Sequence, residues 1–347
     1  MILVNNPGSW DYVYTPLDHA PWHGWTLTDL IFPFFLFIVG ISMTFSFARR
    51  LEQGNKGQLM RSVLRRSLII LLLGLFLSAL PHFDLANLRY VGVLQRIALV
   101  YLAASLIVLN LSRRAQAWVT LGLLLGYWAV MKLVPVPGAG AGVLTPEGNL
   151  AAWIDGFVVP GRMYQGRWDP EGFLSTIPAI ATTLLGVFTG HWIRSGRERL
   201  EIAAGMFAVG WLAILAGLAW GIFFPINKNL WTSSYVVFTA GAALELLALC
   251  YWLIDIQGYQ KWARPGVVFG VNAIAVFVLS SLVTRLLIFV QVPSGAETIA
   301  AKQWIYDNLF ASWASPVNAS LAYAACHVLM WWALTALLYR RRIFIKI

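Results

Sequence analysis

The residues best equipped for chemistry come early in the chain. The run Asp18-His19-Ala20-Pro21-Trp22-His23-Gly24 sets two imidazoles four positions apart, and a further carboxylate follows at Asp29. On a helix that spacing would put both rings on one face, as zinc ligands require. Pro21 and Gly24 argue against a continuous helix, and neither cysteine nor a second histidine pair completes a ligand set, so no metal is expected. One histidine serves better as a general base at the mouth of a site, because imidazole titrates nearest neutral pH. The plain alternative is a ring that caps a loop. Asp29 also has two readings: a carboxylate favoured by a helix dipole at the helix start, or a partner that orients His19.

Further polar groups stand where apolar runs begin. Asp169-Pro170-Glu171-Gly172, ahead of Thr176-Ile177-Pro178, offers two carboxylates that could cap a helix or hold a polar ligand. Asn227-Lys228-Asn229-Leu230-Trp231 adds amides, a cation and an indole. Carboxylates, amides and a stackable ring together suit a sugar, although a turn and an interfacial Trp explain each one separately. Arg96, Glu245 and Arg285 fall inside apolar runs, where charge is costly and pairing of opposite charges would explain it. Arg96 could instead face a phosphate or carboxylate in a cavity. His191 and His327 have apolar neighbours and read as core. These residues describe a polar site with a histidine and name no substrate.

The elements that must position them are membrane helices. Of 347 residues, 59% are hydrophobic and 12% charged, and mean hydropathy is +0.70, against roughly 25% charge in a soluble domain. The apolar runs are long and continuous, unlike the short alternating strands of a β-barrel. At about 20 residues per crossing, nine spans are expected: 25–48, 67–80 (short), 90–110, 115–134, 173–193, 200–224, 230–254, 266–290 and 318–340. The segment Met1-Ile2-Leu3-Val4 reads as the last turn of a tenth helix lying mostly upstream. The fold class is thus an all-α polytopic bundle of about ten transmembrane helices, the first largely missing, with 1–347 as a single domain. Cys250 and Cys326 sit in apolar runs and read as packing residues.

Charge distribution sets the orientation. The net charge of +10 would suit nucleic acid, but 17 of the 25 basic residues fall in alternate gaps and in the tail: 49–66, 113–114, 194–199, 261–264, and Arg340, Arg341, Arg342 and Lys346. By the positive-inside rule those gaps and the C-terminus are cytoplasmic. Segments 5–24, 81–89, 135–172, 225–229 and 291–317 then face outward, and long ordered loops of this kind usually carry function. In the last of them, Ile299, Trp304, Ile305, Leu309 and Trp313 could form the apolar face of a helix lying on the membrane.

At these residues the chain resembles the heparan-α-glucosaminide N-acetyltransferase family and its bacterial inner-membrane relatives. The resemblance covers essentially the whole chain. It rests on His19-Ala20-x-Trp22-x-Gly24, Asp29-Leu30-x-Phe32-Pro33, Gly92-Val93-Leu94-Gln95-Arg96, Asp169-Pro170-Glu171-Gly172, and Asn227 to Trp231 through Ser234-Tyr235, in the family's order. It implies a transmembrane acyltransferase that takes acetyl-CoA from the cytoplasm and acetylates the amine of a terminal glucosamine across the membrane. It implies His19 as catalytic histidine and Asn5 as active-site amide. Asp29, Trp22, Asp169, Glu171, Asn229 and Trp231 are expected around the sugar and Arg96 toward CoA. Expected partners are an amino-sugar or oligosaccharide acceptor and membrane lipid, not nucleic acid, with a homodimer compatible with all of this. The expected location is a bacterial inner membrane. Where relatives carry Asp-x-x-Arg-Gly in the first span, this chain has no counterpart, because it begins later. Two other functions stay open: an amino-sugar (N-acetylglucosamine) transporter, which internal repeats and broken helices would favour, and a non-catalytic sugar-binding scaffold, which would not need His19.

Overall fold

The computed structural model describes residues 1–164, 166–295 and 297–345; Lys346, expected in the basic tail, lies outside them. The chain forms a single turn α1 (Ile2–Asn5), then α2 (Leu27–Glu52), α3 (Lys56–Ala79), α4 (Val93–Asn110), α5 (Arg113–Leu133), α6 (Leu150–Val158), α7 (Phe173–Ile193), α8 (Arg199–Gly221), α9 (Ser233–Tyr251), α10 (Arg264–Gly270), α11 (Ala273–Phe289), α12 (Ala301–Tyr306) and α13 (Pro316–Arg340). The strands are two short antiparallel hairpins: β1 (Pro135–Val136) with β2 (Gly140–Ala141), and β3 (Gln291–Ser294) with β4 (Glu297–Ala300). This is an all-α polytopic bundle.

Among the described residues seven helices, α2, α3, α4, α7, α8, α9 (running on to Ile256) and α13, are long and apolar enough to cross a bilayer. The nine expected crossings are not all matched. α5 has 21 residues but carries Arg113, Arg114, Gln116 and Lys132 and falls short in hydropathy. The expected span 266–290 is a helix pair, starting at Lys261, bent by 67° between Gly270 and Ala273. The short span 67–80 proves to be a 24-residue helix. Its first turns take up Lys56, Arg61, Arg65 and Arg66, so the expected basic loop shrinks to a turn at 53–55. Likewise the helix expected through Ile299, Trp304, Ile305, Leu309 and Trp313 forms only in part: Ile299 belongs to β4, the helical stretch runs from Ala301 to Ala311, and Trp313 lies beyond it.

Successive long helices run up and down, so the bundle has two ends with different chemistry. At the basic end, Lys56 binds Asn110 and Arg194 binds the Thr44 carbonyl. The opposite end carries the long loops and His19. Between them, α2 and α7 approach so closely that a Cβ on Gly40 would lie 2.0 Å from the Thr183 carbonyl oxygen, and one on Gly186 would lie 2.0 Å from that of Phe37. Gly186 and Gly190 form a G-x-x-x-G stripe, the small-residue seam by which membrane helices pack in the absence of a hydrophobic drive. Phe32, Leu36, Ala179, Trp231 and Tyr235 build the core beside it. Among the described residues the expected pairing of intramembrane charges is not found: Glu245 leaves Oε1 without a partner there, and Arg285 reaches the Leu80 carbonyl at 3.4 Å. His327 is a core residue, accepting from the Trp331 indole at 3.1 Å.

Candidate active site

Asp29 organises the site, and both readings of it hold. As the third residue of α2 it accepts from the Thr26 backbone N–H at 3.0 Å, closing a capping box. The Ala20 N–H also donates to Oδ2 at 3.0 Å, so Pro21 ends a loop that folds back onto the helix start. The other oxygen, Oδ1, receives His19 Nδ1 at 2.7 Å. Tyr235 fixes the same turn from α9 by donating to the Asp29 carbonyl at 2.5 Å. Asp29 is 1% exposed, whereas 40% of the His19 side chain is open. With its Nδ1 hydrogen given to a buried carboxylate, the imidazole presents the Nε2 lone pair outward, the arrangement of a general base with an orienting acid.

His19 lines a cavity of about 730 Å³ together with Asn5, Glu171, Lys228, Asn229 and Trp168. Asn5 is exposed at the end of α1, while its neighbour Asn6 is consumed: it donates to the Ile2 carbonyl and accepts from Thr284. Lys228 Nζ stands 3.0 Å from His19 Nδ1, 3.2 Å from Nε2 and 3.5 Å from Asp29 Oδ1. Burial pulls this ammonium below its ordinary range, against the opposing pull of Glu171 and Asp29. His23 points elsewhere, 3.2 Å from the Asn227 amide, and burial lowers it too.

Several expected ligands have structural tasks instead. Asp169 takes a two-pronged grip from Arg89, Nε to Oδ2 and a terminal NH2 to Oδ1, each 2.6 Å, and also accepts the Tyr164 and Glu171 N–H groups. With both oxygens shared and 4% exposure, it has no capacity left for a sugar. Glu171 binds the same guanidinium at 2.6 Å but keeps a place in the cavity wall. Burial opposes the Arg89 charge, but the two carboxylates more than offset it and hold the guanidinium above its ordinary range. Trp22 donates its indole to the Leu144 carbonyl at 2.7 Å and packs edge-on against Trp168, which does line the cavity. Trp231 and Arg96 lie behind the wall, each 1% exposed. Arg96 binds the Gly172 carbonyl and Ser175 and stacks 5.0 Å over the Trp231 ring. It is thus placed to join α4, α7 and α9, not to reach a CoA phosphate. The sequence reading passed over Arg89 and left Lys228 without a role. Arg89 meets its partners across 80 residues of chain, a separation that leaves no local signal.

A family model described as heparan-alpha-glucosaminide N-acetyltransferase, catalytic, matches residues 8–219. The human protein named heparan-alpha-glucosaminide N-acetyltransferase is 27% identical over 411 residues, covering 100% of this chain and 58% of its own length. The mouse protein of that name is 28% identical over 337 residues, covering 80% of this chain and 50% of its own. The chain therefore spans about half the length of the curated relatives it matches. The matched region holds the His19–Asp29 pair, the Arg89 clamp and the α2–α7 seam, and the chain belongs to the heparan-α-glucosaminide N-acetyltransferase catalytic family.

Proposed function

We propose that residues 1–347 act as one transmembrane acetyltransferase unit in a bacterial inner membrane. Acetyl-CoA enters from the basic, cytoplasmic end, and the acetyl group passes to the amine of a glucosamine-type sugar at the His19 end. The observation that supports this is a series of three cavities with shared walls. The His19 cavity shares Val93 with an apolar cavity of about 420 Å³. That one shares Phe35, Ala273 and Ile274 with a third, of about 450 Å³, which reaches Arg50 and Arg66. From Thr28 to Arg50 the rise along α2 is about 33 Å, comparable to the roughly 30 Å hydrocarbon core. CoA has matching parts: anionic phosphates for the arginines, a long arm for the apolar middle and a thioester for the far end. Arg66 Nε is buried with no partner among the described residues, as a donor awaiting an anion would be.

In this reading His19 Nε2 takes the proton from the attacking amine as nitrogen bonds to the thioester carbon. The thiolate of CoA leaves and receives that proton. A positioned base contributes roughly 10²–10⁴ in rate, and Asn5 is close enough to the cavity to hold the acetyl oxygen or the sugar. Purified protein with radiolabelled acetyl-CoA and a panel of amino sugars tests the proposal. Label should move to a glucosamine-type acceptor, and in sealed vesicles only when acetyl-CoA is on the basic side. Sugar uptake into proteoliposomes without any labelled product would establish the transporter in its place. The bend between α10 and α11 is a broken helix of the kind transporters use, but it has no second copy among the described residues.

A further inference from the structure

Among the described residues Lys228 is the one cation in the His19 cavity that touches the imidazole, and nothing in the general-base scheme uses it. Its surroundings fix it firmly. The Asn227 side chain accepts from the Leu230 N–H at 2.8 Å, the Trp231 N–H reaches the Lys228 carbonyl at 3.1 Å, and the Asn227 N–H reaches Thr232 Oγ1 at 3.1 Å. Trp231 completes the turn at φ 50°, a left-handed conformation that costs a bulky residue about 1–3 kcal/mol and persists only where the surroundings over-determine it. The turn thus spends stability on holding Lys228 in place. Nζ is almost equidistant from the two ring nitrogens, so it cannot lie along either in-plane lone pair. It stands over the ring face, 3.2 Å from Nε2, within the same cavity wall as Asn5 and Asn229.

We propose that the Lys228 ammonium is a catalytic residue of the transfer, donating to the oxygen of the acetyl group as charge develops on it. This rests on the acetyltransferase reading given above. As the amine nitrogen bonds to the carbonyl carbon, the C=O π pair moves onto oxygen while His19 Nε2 takes the amine proton. Lys228 stabilises that oxyanion without giving up a proton. The pair then returns to re-form C=O and expels the CoA thiolate, which takes the proton from His19, giving amide and thiol. A donor fixed over the imidazole lies within one hydrogen-bond length of the atoms His19 serves, and such donors are worth about 10²–10³ in kcat. The groups that face Lys228 are His19, Asp29, Glu171 and, with the opposite sign, Arg96. The lowered ammonium of this buried lysine adds a signature. The acidic form is the active one, so the rate should fall as pH rises through its titration, giving a basic limb below the range of an ordinary lysine.

The test compares wild type, Lys228→Met and Lys228→Arg in acetyl transfer from acetyl-CoA to glucosamine, with detergent-solubilised thermal unfolding and acetyl-CoA binding measured in parallel. Lys228→Met should lose about 10²–10³ in kcat, with acetyl-CoA affinity within about threefold. Lys228→Arg, always charged, should recover at least about tenfold over Lys228→Met and lose the basic limb. Folded Lys228→Met with kcat near wild type overturns the proposal. So does folded Lys228→Arg as inactive as Lys228→Met, since the neutral amine would then be the active form. If Lys228→Met fails to fold, the limb in Lys228→Arg decides alone. A wild type that transfers no acetyl overturns the underlying function instead, so the two failures are distinguishable.

Discussion

Asp29 caps α2 with one carboxylate oxygen and holds the His19 imidazole with the other, so a substitution can separate the two tasks. Asp29→Asn retains an oxygen for the Thr26 N–H, yet its amide would donate toward His19 Nδ1 and move the ring hydrogen to Nε2, closing the lone pair that takes the substrate proton in the proposed transfer. Expected is a loss of about 10²–10⁴ in kcat with thermal stability near wild type; His23→Ala, by contrast, should keep most activity. Steady-state kinetics on both variants checks this. Asp155 on α6 behaves differently. It is 1% exposed and accepts the Leu174 N–H at 3.1 Å, and burial pushes its carboxyl up to about 6, against that hydrogen bond. A raised acid favours the protonated fold, so its contribution is full below the unfolded value near 3.8 and is lost as pH rises through about 6. Asp155→Asn keeps the acceptor and removes the titration. It should therefore be about 1–2 kcal/mol more stable than wild type at pH 8 and no more stable at pH 4, read from melting curves at the two pH values.

At the scale of elements, the close α2–α7 approach is the most exposed to test. Gly186→Leu places a side chain where even a Cβ meets the Phe37 carbonyl oxygen at 2.0 Å, and backbone cannot give way as a flexible side chain does. Overpacking of about 1–3 kcal/mol or more is expected, seen as a lower Tm, while Gly122→Leu on α5, where nothing lies within 4 Å, should be silent. The seam illustrates what the sequence could and could not convey. Hydropathy located the crossings because each is a local run of apolar residues, and α7 and α13 match within two residues at each end. It mistook the start of α3 for a loop because arginines are as helix-competent as leucines; hydropathy reads partition, not conformation. The His19–Asp29 pair was legible because it is short-range and chemically distinctive. The Arg89 clamp was not, and its absence from the reading made Asp169 look like a free ligand. Trp231 and Arg96 were misassigned because a motif gives a residue's neighbourhood, not which side of a cavity wall it occupies.

At the scale of the whole molecule, the two ends are polar and the middle cavity is not. Val93, Ile97, Phe269, Ile274 and Phe277 line it, together with Phe35, and this apolar neck shares wall residues with the polar cavity on either side of it. An electrical consequence follows. A path open to an acyl carrier through a membrane would also be a path for protons and sodium, and a cell that lets ions run through an enzyme loses its membrane potential. A bare ion crossing an apolar constriction must shed its hydration with nothing to replace it, so the neck insulates even when no carrier fills it. Planar bilayers or liposomes containing the protein should therefore show no conductance or proton leak above the lipid background. Ile97→Asp, which wets the neck, should introduce a leak that excess CoA blocks. Apolar walls proposed to accommodate the arm of a thioester would then also serve the cell as a dielectric seal.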